Sequence, residues 1–254
     1  MSKFKKILRI ILPILIVMLL VTIATLILII DSKDEETGIK YIAHRGHGYY
    51  DNTVEAFYNS GDYWGIECDV RITSDNKLIL NHDATVTYDD GSVLAVEEST
   101  YANLMSKTLG GGYTICSLQR YLEICDEMSK VAIIELKSYF DTDDVTKLLN
   151  EIETYHSIDD SVVISFDKNN LLNVRAQSDI SLQYLCSGDE SAFDFCIEYD
   201  LDISIQYVYV DKNAVRKAHN NGLKIGVWTV NDAVSNFNMK RLHVDYVTSD
   251  EFCE

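Results

Sequence analysis

Basic residues are scarce in this chain: 22 Lys and Arg face 40 Asp and Glu, for a formal net charge of −18. Four of those cations, Lys3, Lys5, Lys6 and Arg9, lie in the first thirty positions, which hold no acid, so the remainder is more acidic still. Such a surface repels phosphate backbones and disfavours nucleic-acid binding through a broad electrostatic face. An anionic substrate must then be held by a local cluster of cations or by a metal. Proline is nearly absent, with Pro13 alone, and no sequence repeat is visible. The six cysteines, Cys68, Cys116, Cys125, Cys186, Cys196 and Cys253, lack metal-site spacing. Outside a membrane they could form disulfides, but buried thiols acting as small hydrophobes account for them equally well, and no bridge is assigned.

What is present begins with a core. Apolar residues make up 47% of the 254 positions, ample for one large folded unit, and that length is ordinary for a single α/β barrel. From Ile7 to Ile30 the chain is apolar apart from Arg9, Pro13 and two threonines, about the 20 residues needed to cross a bilayer as a helix. This stretch exceeds the core of a cleaved signal peptide, and no small-x-small site precedes Asp31, so an uncleaved anchor is expected over residues 7–30. The basic residues before it place residues 1–6 in the cytoplasm and the large domain outside. Residues 31–38 read as a linker and residues 39–254 as the folded domain.

Within that domain, short β-rich runs alternate with helical ones, as in repeated βα units on a parallel sheet. Expected strands are Tyr41–Ala43, Ile66–Ile72, Val131–Leu136, Val162–Ser165, Leu182–Cys186, Asp202–Ile205, Leu223–Val230 and Tyr246–Thr248. Eight strands predict a closed TIM (β/α)8 barrel. Helical spacing or start signals mark 53–60, 117–128, 144–155, 168–177, 192–199, 212–220 and 233–240, with Asn52 and Ser117 as N-caps and Gly222 as a C-terminal cap. The segment Lys77–Gly112 breaks the alternation and reads as a small insertion over one barrel face. Chemistry is expected at strand C-termini and the loops after them.

Polar residues at those positions form a candidate site. Glu67 and Asp69 lie two apart on one strand and so share a face, and Glu135 ends the apolar run Val131–Ile134. A Glu-x-Asp pair is usually the wet face of an ordinary strand, but an inward face of a parallel barrel has no wet side. Three oxygen donors suit a hard divalent cation, Ca²⁺ or Mg²⁺. His44 and His82 follow strands and can serve as general acid and base, whereas His47, His156, His219 and His243 read as ordinary surface histidines. Arg45 offers a planar fork to phosphate and Lys137 a point charge; either could instead be a surface ion pair.

The run His44-Arg45-Gly46, then Asn52, Thr53, Ala56, Phe57, Gly65, Glu67, Asp69, Val70, Thr73, His82 and Asp83, resembles the N-terminal signature of the glycerophosphodiester phosphodiesterase family. Glu135-Leu136-Lys137, Ser165-Phe166 and Trp228-Thr229-Val230-Asn231 resemble its later segments, so the likeness spans Ile42 to Asp250. The resemblance implies a TIM barrel with a small insertion and a divalent cation held by Glu67, Asp69 and Glu135. It implies acid/base roles for His44 and His82, phosphate contacts from Arg45 and Lys137, and a pocket wall from Trp228. The chain departs from the family's P-E-N-T with Tyr50-Asp51-Asn52-Thr53, which shortens a carboxylate by one methylene.

The activity so implied is metal-dependent hydrolysis of a small glycerophosphodiester to glycerol 3-phosphate and an alcohol, with headgroup specificity in loops such as Lys77–Gly112. Two alternatives stand beside it: a phospholipase D-like or lysophospholipase D-like enzyme acting on lysolipid-type diesters, and a catalytically idle binding module displayed on the membrane.

Overall fold

A computed structural model describes Leu12, residues 15–22 and residues 38–251. Residues 15–22 are helical; among the described residues no helix is long and apolar enough to cross a membrane. Most of the span expected over 7–30 lies outside the described residues, as do Cys253 and nearly all of the expected linker. The chain divides into two units at Gly38, and the second, Ile39–Glu254, contains the elements that follow.

Eight parallel strands close on themselves: β1 (Lys40–Ala43), β2 (Gly65–Ile72), β6 (Val131–Leu136), β7 (Ser161–Ser165), β8 (Ser181–Cys186), β9 (Asp202–Gln206), β10 (Ile225–Trp228) and β11 (Tyr246–Ser249). β1 pairs with both β11 and β2, which completes the cylinder. These are the strands expected from the sequence, except that β10 is confined to Ile225–Trp228 rather than running from Leu223 to Val230. Period-2 alternation sorts each strand into two layers. On β2, Ile66, Cys68 and Val70 face outward into the main apolar layer, which also receives Leu118, Leu122, Leu148 and Leu171 from the helices. Inside the barrel, Ile42, Ile133, Val162, Ile164, Leu185 and Tyr246 form a second, smaller core.

The helices begin where a side chain can accept orphan amide protons. Asp141, Asp167, Asp189, Asp211 and Asp232 each cap the helix that follows, at Thr142–Tyr155, Lys168–Arg175, Glu190–Tyr199, Lys212–Asn220 and Ala233–Leu242. Part of the excess of acid is therefore structural. Ser117 caps Leu118–Met128 as expected, but the short helix Val54–Tyr58 is capped by Thr53, not Asn52. Asn52 has a φ of 56°, left-handed rather than the extended backbone an N-cap adopts, and its amide is used elsewhere. Gly222 has a φ of 78° just past Lys212–Asn220, as a C-terminal glycine should.

The segment after β2 folds as an insertion with its own centre. β3 (Leu78–Leu80) adds antiparallel to β2, while β4 (Thr85–Thr87) and β5 (Val93–Ala95) form a separate hairpin. Ile79, Val86, Tyr88, Val96, Leu104 and Ile115 pack together beneath it. The five described cysteines are buried free thiols; burial pushes Cys116, Cys125 and Cys196 up to about 12, which keeps them protonated and inert.

Candidate active site

Strand register brings the three acids together. On adjacent parallel strands Asp69 is level with Glu135, and Glu67 lies one inward position below on β2. One carboxylate oxygen from each of Glu67, Asp69 and Glu135 lies within 4.8 Å of the others, and all three residues are buried. Glu67 accepts from the Arg45 amide at 2.8 Å, leaving its second oxygen buried without a partner. Asp69 accepts from the Asn52 side-chain amide at 2.8 Å, and its other oxygen is likewise buried without a hydrogen-bond donor. Burial first, then repulsion from Asp69 and Glu135, pushes Glu67 well above the ordinary carboxylate range. Glu135 is raised by burial too, against the opposing pull of Lys137.

Cations frame this cluster. Arg45 places Nε 3.2 Å from Asp69 and Nη1 3.3 Å from Asp51, so the shortened Asp51 still reaches its neighbour. Burial works against the Arg45 charge, but Asp69, Glu67 and Asp51 more than offset it and raise its pKa. Lys137 Nζ lies 2.9 Å from Glu135 and 3.6 Å from Asp69. Both reach the buried Asp69, so neither is only a surface ion pair.

Both imidazoles open onto the same cavity of about 200 Å³, whose walls also include Glu67, Glu135, Lys137 and Trp228. His44 extends from the end of β1 with Nδ1 2.5 Å from an Asp250 oxygen. Asp250 is held in turn by the Asn231 side-chain amide, while its own amide donates to Asn231 at 2.9 Å. The hydrogen bond to His44 is the main reason the Asp250 carboxyl sits below its usual range. His82 follows β3, with Nδ1 2.8 Å from Asp83 and its carbonyl oxygen accepting from Arg71 at 3.1 and 2.8 Å. In each case the Nδ1 contact leaves Nε2 as the atom available to a reactant. Trp228 donates from its indole to the Ser204 carbonyl at 3.2 Å and meets Phe166 edge-on, 5.4 Å between centroids, so it is both packed and exposed to the cavity.

Gly46 explains the glycine beside His44 and Arg45. Its φ is +81°, and a Cβ there would fall 2.7 Å from the backbone carbon of Ala56, in the helix that follows. Among the histidines read as ordinary, His47 instead donates from Nδ1 to the Asp250 carbonyl oxygen at 3.0 Å. The His156 side chain is only 4% exposed, so it too departs from the surface reading.

The sequence profile of the glycerophosphoryl diester phosphodiesterase family matches residues 44–253. The chain belongs to that family. It is an enzyme of the phosphodiesterase class. A glycerophosphodiester phosphodiesterase of Caldanaerobacter subterraneus subsp. tengcongensis is 25% identical over 229 residues, 83% of this chain and 93% of that protein. Among solved structures, an Oleispira antarctica phosphodiesterase in complex with the product sn-glycerol-3-phosphate superposes with a TM-score of 0.78 at 20% identity, covering 85% of this chain and 95% of its own. A Thermotoga maritima glycerophosphodiester phosphodiesterase gives 0.69 at 24% identity, covering 84% and 95%.

Arg71, Asn231 and Asp250 complete the arrangement without having been assigned roles from the sequence, as does Asn52, which the sequence marked only as an N-cap. Asp250 carried one readable signal: it is a carboxylate just past the C-terminal end of a barrel strand.

Proposed function

We propose that this chain hydrolyses glycerophosphodiesters to sn-glycerol 3-phosphate and an alcohol, with a divalent cation held by Glu67, Asp69 and Glu135. The observation that carries the reading is the meeting of those three buried carboxylates beside His44 and His82 at one cavity. Two buried carboxylate oxygens without a hydrogen-bond donor fit a bound cation, and an all-oxygen donor set favours Ca²⁺ or Mg²⁺. Such an ion supplies charge neutralisation at the phosphodiester and polarisation of its oxygens.

The chain's own residues account for the rest. Arg45 and Lys137 bind the phosphate oxygens, Arg45 through a rigid fork and Lys137 as a point charge. One imidazole takes the proton of the attacking oxygen and the other returns one to the departing alkoxide, each held in its tautomer by a carboxylate on Nδ1. Trp228 and Phe166 form an apolar wall for the glycerol arm. The product bound in the Oleispira antarctica relative supports this direction of cleavage.

The test is release of sn-glycerol 3-phosphate from a panel of glycerophosphodiesters, before and after EDTA and after restoring Ca²⁺ or Mg²⁺. Chelator-sensitive turnover restored by either ion is expected; chelator-resistant turnover, or restoration by Zn²⁺ alone, overturns the metal assignment. We propose further that residues 7–30 anchor the chain with residues 1–6 cytoplasmic and residues 39–254 outside. Alkaline carbonate extraction of the full chain checks the anchor, which recovery in the soluble fraction would refute.

A further inference from the structure

Strand β2 runs on past its two acids. Two positions beyond Asp69, and so on the same face of the strand, Arg71 reaches toward the insertion, where its Nε and Nη2 both donate to the His82 carbonyl oxygen at 3.1 and 2.8 Å. Its Nη1 lies 3.6 Å from Glu97, just past β5. The same Glu97 oxygen accepts from the Ser138 hydroxyl at 2.7 Å, and that hydroxyl accepts in turn from the Ile72 amide at 3.3 Å. Ser138 directly follows Lys137, so these contacts join the insertion to the strand end that carries Glu135 and Lys137.

His82 needs such a hold. Its side chain is 39% exposed, and that of Asp83, 2.8 Å from its Nδ1, is 77% exposed, so packing fixes neither. Asn81 secures the turn around them: its backbone amide donates to the Asp69 carbonyl at 2.9 Å, and its side chain to the Asp83 and Thr85 carbonyls at 2.7 and 3.2 Å. What remains is the peptide plane between His82 and Asp83, and the oxygen of that plane is the one Arg71 grips. The Arg71 side chain is only 11% exposed. Two donors from one planar guanidinium fix the direction of a carbonyl, where a single donor leaves it free to swing. Turning this plane would displace both the imidazole and the carboxylate that holds its Nδ1.

We infer that Arg71 is a positioning residue for His82, aimed by Glu97 and Ser138. This rests on the acid/base role read for His82 above and adds to it the group that keeps the imidazole in place. Unlike Arg45 and Lys137, Arg71 is not among the residues lining the catalytic cavity, so its effect on rate must pass through His82.

The experiment is a double-mutant cycle on kcat, with Arg71→Met and His82→Ala made singly and together. Arg71→Met keeps an unbranched apolar stem and removes the fork. It should lower kcat by about 10- to 100-fold, since a misplacement of about 1 Å costs on the order of 10² in rate, with KM and the affinity for Ca²⁺ or Mg²⁺ unchanged. In the His82→Ala background the same change should lower kcat by less than about twofold, because no imidazole is left to misplace. If Arg71→Met does not fold, Arg71→Lys supplies the cycle, keeping the charge but presenting a point ammonium in place of the fork. Parental kcat in the Arg71 variant, an equal loss in both backgrounds, or a loss carried by KM or by ion affinity would overturn the inference and leave the role of His82 standing. Full turnover in His82→Ala would remove the acid/base reading and this inference with it.

Discussion

Asn52 and Asp69 hold each other by two hydrogen bonds: the Asn52 amide donates to the Asp69 carboxylate at 2.8 Å, and the Asp69 backbone amide donates to Asn52 Oδ1 at 3.1 Å. Both residues are buried, so neither bond is replaced by water when it is lost. The pair fixes the carboxylate that lies level with Glu135. Asn52→Ala should therefore weaken Ca²⁺ or Mg²⁺ binding by about 10- to 100-fold, the usual effect of removing a group that orients a ligand. It should also cost about 1–3 kcal/mol of stability. Isothermal titration with the ion and urea unfolding read the two effects; unchanged metal affinity would refute the positioning role.

Glu67 tests the cost of keeping three acids together. Its pKa in the metal-free fold lies well above the ordinary 4.5, from burial and from Asp69 and Glu135. A raised carboxyl pKa means that the folded chain retains a proton the unfolded chain has released, so this contribution to stability falls as pH rises from the unfolded value through the folded one. Glu67→Gln keeps an acceptor for the Arg45 amide and removes the charge. At neutral pH the metal-free variant should be more stable by ~1 kcal/mol, a rise of about 2–4 °C in Tm. It should also lack the stabilisation that added Ca²⁺ or Mg²⁺ is expected to give the unmodified enzyme. Thermal unfolding with and without the ion decides; a metal-free variant that melts lower than its parent contradicts the account.

The barrel was legible because its strands are short apolar runs between capped helices, a pattern that local sequence alone specifies. Where the reading slipped, a long-range contact had overridden a local rule. Asn52 looks like an N-cap from its position, but its left-handed backbone and the bond to Asp69 give that role to Thr53. Glu67 and Asp69 could be paired by period, and Glu135 joined them once adjacent strands were placed in one barrel. Asp250 could not be tied to His44 in the same way, since 206 positions separate them and only closure of β11 on β1 brings them together. The insertion was seen as a break in pattern; its hairpin and separate core depend on packing that no periodicity announces.

Gly46 offers a test of backbone geometry rather than side-chain chemistry. With a φ of +81° and a Cβ position 2.7–2.9 Å from Ala56, Gly46→Ala must strain the turn or displace the helix start. The expected cost is about 2–4 kcal/mol, with kcat reduced because His44 and Arg45 immediately precede the turn. Gly61→Ala is the control: its Cβ would meet nothing within 4 Å and its φ carries no such constraint, so stability should change by less than about 0.5 kcal/mol. Equal stability of the two variants would show that the turn tolerates a side chain.

Asp250 should matter to rate more than to binding. It touches His44, Asn231 and, through its carbonyl, His47, but none of the three clustered acids. Asp250→Asn preserves shape while presenting an amide to His44 Nδ1 in place of an acceptor, which favours the wrong tautomer at Nε2. The expected loss in kcat is on the order of 10² to 10⁴, with KM and metal affinity little changed. A second consequence concerns acid. The Asp250 pKa is depressed by its bonds to His44 and Asn231, so the stability it contributes is present above the ordinary aspartate value and is lost as pH falls through the depressed one. Asp250→Asn should therefore bring the variant's stability closer to the parent's at pH 3 than at pH 7. Urea unfolding at the two values, together with a kcat profile, separates a positioning role from a purely structural one; a variant with parental kcat would leave His44 without need of its partner.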